Sequence, residues 1–310
     1  MATSRRLRRR PAATFEQQAL ALAWGAWVEL GTSGWTASHG KWAVDPEPLI
    51  LFTAFLGDRD PRLRDEATDW CIRNWRQVSK VRLKNLLRRQ PPEVRDAFGE
   101  FAATVGAHAG IAWPGATDPR RFKVTGRSKL PPLDRPSLVW LRLRAVFGLG
   151  ARTEILRFFL SEEGTRASVS AITSASGYLK RTVAEECESL ERAGVLSVRT
   201  IGNRFDYALA RPAELKNFVG ELPPVRPDWT AVLNVARELV VIEAKALPAS
   251  PRLRGVKAKA ALRSMQSDLE SLDIEVPSTD VVGSQIWADL KVLGDATLGA
   301  WSLARWHADA

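Results

Sequence analysis

The chain has 310 residues, 45% of them hydrophobic and 26% charged, a balance that argues against general disorder and leaves room for two or three domains. No stretch approaches eighteen uninterrupted apolar residues: the longest, Ala19 to Val28, lies between Glu16-Gln17-Gln18 and Glu29, which excludes a membrane span. The formal net charge of +10 is uneven, since residues 1–149 carry 25 basic and 14 acidic side chains, residues 150–212 carry 9 and 8, and residues 228–310 carry 9 and 11. That excess raises the expectation of a polyanionic partner met by the N-terminal half.

Residues 1–14 hold Arg5, Arg6, Arg8, Arg9 and Arg10. They read as a disordered basic arm, because Glu16-Gln17-Gln18 interrupts the apolar region an export signal needs. An N-terminal helical domain follows over 15–109. Phe15 to Leu30 has helical spacing and stops at Gly31; Thr32 to Asp45 reads as a loop anchored by Trp35 and Trp42. Pro48 to Leu56 closes at Gly57, and Asp60-Pro61 starts a helix that reaches Trp75. Ser79 to Arg89 is a basic helix whose Lys80, Arg82, Lys84, Arg88 and Arg89 form a candidate second nucleic-acid patch, or equally a solvated face. Pro91-Pro92-Glu93 opens a further helix to His108. Residues 110–136, rich in Pro, Gly and charge, predict a basic linker.

Ser137 then caps a helix through Phe147 at the start of a third unit, 137–222. Within it, Ile155, Leu156, Phe158, Phe159 and Leu160 make a first apolar helix, and Ser168 caps a short second one ending at Ser176-Gly177. The third helix predicts Leu179, Val183, Cys187 and Leu190 on one buried face, with Gly194 as terminator. Val195 to Arg199 and Phe205 to Leu209 alternate as strands around Ile201-Gly202-Asn203-Arg204. Pro212 to Val219 is one more short helix. After the prolines at 223, 224 and 227, a C-terminal helical domain (228–310) predicts helices Trp229 to Lys245, Arg252 to Leu272 and Thr279 to Trp301.

The two cysteines, Cys71 and Cys187, lie in helix-like sequence and form no Cys-x-x-Cys pair, which fits a reducing, cytoplasmic setting. His39, His108 and His307 are far apart in sequence, so neither a metal nor another cofactor is expected. Walker, dinucleotide-binding, nucleophile-elbow and zinc-protease signatures are all missing, and enzyme activity is not expected.

The order helix, short helix, "Gly-Tyr-Leu-Lys-Arg-Thr-Val", "Leu-Glu-Arg-Ala-Gly-Val-Leu", basic hairpin resembles the winged helix-turn-helix regulators of the MarR and ArsR type over about sixty residues. The fold class expected is therefore mainly α, multi-domain, with a central winged helix carrying a small β-hairpin. The resemblance implies a third helix whose leading end enters the major groove of duplex DNA, with Ser176, Tyr178, Lys180, Arg181 and Thr182 facing the groove. Arg181 would read guanine, and Lys180 and Thr182 would hold phosphate. Arg199, Asn203 and Arg204 would serve the wing. Glu185, Glu186, Glu188 and Glu191 on the same helix run against that role, although they fall in its later turns. A transcriptional regulator, homodimeric and free of the membrane, is the first expectation. A protein-interaction or antitoxin-like module using the winged unit as scaffold is the second, and an RNA-directed module a third.

Overall fold

The computed structural model describes residues 13–33, 41–162, 164–224, 226–278 and 284–301. The basic arm up to residue 12, Trp35, His39 and His307 lie outside them. Thr14 opens α1 (Phe15–Glu29) through a capping box: its hydroxyl accepts from the Gln17 amide at 3.2 Å while the Gln17 side chain accepts from the Thr14 amide at 3.1 Å. Then come α2 (Pro46–Leu56), α3 (Pro61–Asn74), α4 (Lys80–Leu87) and α5 (Pro92–Ala109). Asp60 caps α3 by accepting from the Leu63 amide, Ser79 caps α4 by accepting from Arg82, and α5 ends on the left-handed Gly110, each as the residue types dictate.

The segment expected as a free linker, 110–136, is stitched to the helices before it. Trp113 is buried and stacks near Phe98 and Phe101, with ring centroids 6.3 and 6.5 Å away. The Asp69 carboxylate collects the amides of Thr125, Gly126 and Ser128 at 2.7, 2.9 and 3.3 Å. Lys129 donates its amide to the Gly31 carbonyl at 3.0 Å, and a Cβ at Gly31 (φ +89°) would strike the Lys129 carbonyl oxygen. Low periodicity therefore reflects an extended strap laid on a helical surface.

A short 3-10 turn at Pro136–Leu138 leads into α6 (Val139–Phe147), followed by α7 (Ala151–Ser161), β1 (Ala167–Ser168), α8 (Val169–Ser176), α9 (Lys180–Arg192), β2 (Leu196–Ile201) and β3 (Arg204–Leu209). The strands form a small antiparallel sheet in the order β1-β3-β2, with Ala167 opposite Tyr207 and Val198 opposite Tyr207 on its other side. The strand β1 has no counterpart in the sequence reading, since two residues leave no alternation to detect. Around the sheet, Ile155, Leu156, Phe159, Ile172, Val183, Cys187, Leu190 and Leu196 make one compact apolar cluster. Leu179, expected among them, is 61% exposed: it is the residue ahead of α9, with extended backbone, so helical spacing does not carry it inward.

Beyond α10 (Pro212–Val219), the chain continues as α11 (Trp229–Ala246), α12 (Pro251–Ser271) and α13 (Ser284–Trp301). The terminal helical regions, read separately from sequence, share one hydrophobic core drawn from α1–α5 and α11–α13. The Phe15 amide donates to Glu243 at 2.7 Å, Gly294 of α13 meets the Phe15 ring so closely that a Cβ would strike it, and Trp229 donates its indole N–H to the Ala43 carbonyl. The helix α6 places Leu141 in the large core and Trp140 and Leu143 with Leu160 and Val219 in a third, smaller cluster, while its Phe147 packs against both that cluster and the one around the sheet. The molecule is thus mainly helical with a small three-stranded antiparallel sheet. Among the described residues no helix is long and apolar enough to cross a membrane.

Candidate functional site

The turn between α8 and α9 is bent by Gly177, which takes a left-handed φ of +72° that a side chain would strain. That turn does not stand free. The cap of α4 and two residues within it hold it: the Ser79 and Tyr178 hydroxyls are 2.7 Å apart, Arg82 Nε donates to the Ser176 carbonyl at 3.1 Å, and Asn85 Nδ2 donates to the Gly177 carbonyl at 3.0 Å. Ser176 is 0% and Tyr178 7% exposed. Both were expected to face a DNA groove; instead they form the floor of a contact with the helical body. Burial raises the Tyr178 phenol above its ordinary range, with Ser79 pulling the other way.

Behind this contact lies a buried cluster of three guanidinium groups and three carboxylates. Arg82 grips Asp45 with both Nη atoms at 2.5 and 2.6 Å, and Nη1 also reaches Glu47 at 2.6 Å. Arg144 donates to Glu47 at 2.9 and 2.7 Å and to Glu154 at 2.9 Å. Arg157 meets Asp45 at 2.6 Å and Glu154 at 2.8 Å, and donates to the Ala175 carbonyl at 3.2 Å. Glu47 also accepts the Ser79 amide at 2.7 Å. Burial alone would push the Asp45 and Glu154 carboxyls up; the surrounding arginines more than offset it and hold both below the usual carboxylate range. Arg82 and Arg144 are correspondingly held protonated, against the pull of burial, by Asp45, Glu47 and Glu154. Carboxylates fixed in the ionised form by guanidiniums suit positioning, not proton transfer.

Arg82 therefore leaves the basic patch proposed for this helix: at 1% exposure it is the hub of the cluster. Its neighbours Lys80, Lys84, Arg88 and Arg89 remain exposed. Arg88 follows Val81 and Asn85 at i+7 and i+3, on an exposed flank of α4. At the leading end of α9, Leu179, Lys180 and Arg181 are exposed and Thr182 is half-buried. The Arg181 side chain, 89% exposed, is paired with Glu185 at 2.8 Å. On the hairpin, Arg199, Asn203 and Arg204 are exposed, and Arg204 reaches Asp206 at 2.9 Å.

Sequence reasoning missed two features of this surface. The first is Asn85, whose role depends on a carbonyl 92 positions away. The second is a set of exposed apolar side chains, Leu179, Val198, Ile201 and Phe205: Val198 and Phe205 share the strand face of buried Leu196 and Tyr207 but lie at the edge of the core, Ile201 pairs with Arg204 on the opposite face, and Leu179 precedes α9.

Comparison of the chain with protein-family models, with curated proteins and with solved structures returned no match. Function must therefore be argued from the site itself. Among the described residues no group of His, Cys, Asp and Glu is placed to hold a metal ion.

Proposed function

We propose that Ala151–Leu209 is a winged helix-turn-helix and that the chain is a sequence-specific duplex-DNA-binding regulator. One observation carries this reading: Lys180 and Arg181 stand exposed on the first turn of α9, with the cationic α4 fastened beside them through Asn85 and Gly177. The element order helix, strand, helix, helix, hairpin and the sheet order β1-β3-β2 support it. In this reading Arg181 exchanges Glu185 for a guanine edge, Lys180 and Thr182 hold phosphate, and Arg199, Asn203 and Arg204 meet the backbone or minor groove. Exposed Lys84 and Arg88 of α4 supply further phosphate contacts in this reading, beside a winged segment that is itself nearly neutral. The test is an electrophoretic shift against the chain's own upstream region across a salt series, with binding that weakens steeply as salt rises.

A second reading has its own support. Leu179, Ile201 and Phe205 expose apolar surface where a groove reader would carry polar groups, and Ser176 and Tyr178 are already occupied. These favour a protein-interaction module, antitoxin-like, in which the winged unit is a scaffold. Absence of duplex binding at low salt together with stoichiometric co-purification of a protein partner decides for it.

A further inference from the structure

The strap across α3 is pinned at both ends. On one side Thr117 donates its amide to the Gly99 carbonyl at 3.0 Å and Arg120 donates its amide to Thr104 Oγ1 at 3.1 Å. On the other, Asp69 holds the amides of Thr125 and Gly126, and Arg73 donates to the Gly126 carbonyl at 3.1 Å. Between the pins, Arg121 to Lys123 frame with the first half of α3 a groove of about 540 Å³. Its shape is set by these anchors and needs no ligand to form.

Five cationic side chains line it, Arg62, Arg120, Arg121, Lys123 and Arg127, against two carboxylates, Asp65 and Glu66. The carboxylates are already engaged: Asp65 with Arg120 at 2.7 Å, and Glu66 with Arg127 at 2.9 Å and the Ser33 hydroxyl at 2.8 Å. Arg121 and Lys123 are exposed in the groove without a carboxylate partner among the described residues. Cations crowded along one groove add up to a local positive potential, and a multivalent anion relieves it best. One wall adds planar groups: the Arg120 guanidinium lies over the Phe122 ring, 5.0 Å from its centroid, and His108 meets the same ring edge-on with centroids 5.7 Å apart, a set beside which a planar heterocycle can pack. The volume falls in the range of small-molecule sites.

We infer that this groove binds a nucleoside polyphosphate, with Arg121 and Lys123 on the phosphates and Phe122 beside the base. The groove shares no residue with the DNA-facing surface proposed above, and the inference does not rest on that reading.

The experiment is calorimetric titration and thermal melting of the full chain with ATP, with tripolyphosphate and with inorganic phosphate. The expected result is saturable one-to-one ATP binding that raises the melting temperature, weakened about tenfold or more in Arg121→Ala/Lys123→Ala as charge-assisted contacts are lost. Both side chains are exposed, so the unliganded melting temperature of that variant stays where it was. Phe122→Ala should weaken ATP and spare tripolyphosphate. Tripolyphosphate binding as tightly as ATP would overturn the nucleoside assignment. Absence of binding at millimolar ATP, equal affinity in the double variant, or displacement of ATP by duplex DNA would overturn the site.

Discussion

The phenolic oxygen of Tyr178 lies 2.7 Å from the Ser79 hydroxyl, across 99 positions of sequence, and fastens the turn ahead of α9 to the cap of α4. Tyr178→Phe deletes that hydrogen bond while keeping the ring, and should cost about 1 kcal/mol of stability. Ser79→Ala also removes the α4 cap to the Arg82 amide and should cost about 2 kcal/mol. Urea unfolding of the two variants tests this order; equal losses would mean that the cap contributes nothing.

The charge cluster makes a larger prediction. Glu47, fully buried, faces both Arg82 and Arg144, so Glu47→Gln leaves two buried guanidiniums short of a counter-charge. The expected loss is about 3–5 kcal/mol, a large part of the total for a protein of ordinary stability. Thermal melting measures it, and a change under about 1 kcal/mol would contradict the burial argument.

Acid should act on the same cluster. Asp45 and Glu154 have carboxyls held below their unfolded values by Arg82, Arg157 and Arg144 against the opposing effect of burial, so the unfolded chain binds more protons in acid. Their contribution is complete above the unfolded carboxylate range and is lost as pH falls. The urea midpoint should hold from pH 7 to about pH 5 and then drop steadily. A midpoint that rises into acid would contradict the assignment.

How far sequence reaches is visible at Arg82. Its helix was legible from Ser79 and the spacing of Leu83, Leu86 and Leu87, and its charge looked like one more member of a basic face. What buries it is Asp45 and Glu47, 37 and 35 positions earlier, and no local pattern reports such a pairing. Ser168, Gly177 and Gly194 were readable because a cap or a left-handed turn is a local demand. The same contrast separates α10 and α11, whose starts at Pro212 and Asp228-Trp229 are marked by residue type, from the shared core of α1 and α13, which rests on Gly294 meeting Phe15. The hairpin was legible in position but shorter than it is, since Thr200 and Ile201 extend β2 beyond the last buried residue.

The thiols give a chemical check on the packing. Burial, with Glu186 and Glu188 nearby, pushes the Cys187 thiol up to about 12, and burial raises that of Cys71 as well. Neither should be alkylated by iodoacetamide at pH 8 in the folded protein, and both should react in urea. Rapid native labelling at either cysteine, read by mass spectrometry, would show that the cluster around α9 or the core beneath α3 is open.

On the proposed DNA surface, cations and their restraints should separate. Lys84→Ala and Arg88→Ala each remove a phosphate contact in this account, and each should lower the slope of log affinity against log salt by about 1 without altering sequence preference. Glu185→Gln frees Arg181 and removes a repelling carboxylate, and should tighten binding. An unchanged slope in both lysine and arginine variants would leave α4 as a solvated face.

The most direct measurement is the affinity of Arg181→Ala and of Arg204→Ala for the duplex that the wild-type chain prefers, by fluorescence anisotropy at fixed salt. The account predicts a loss of about tenfold or more for Arg181→Ala with relaxed preference at one base pair, and a smaller, sequence-independent loss for Arg204→Ala. Affinities equal to wild type in both would contradict the DNA-binding assignment.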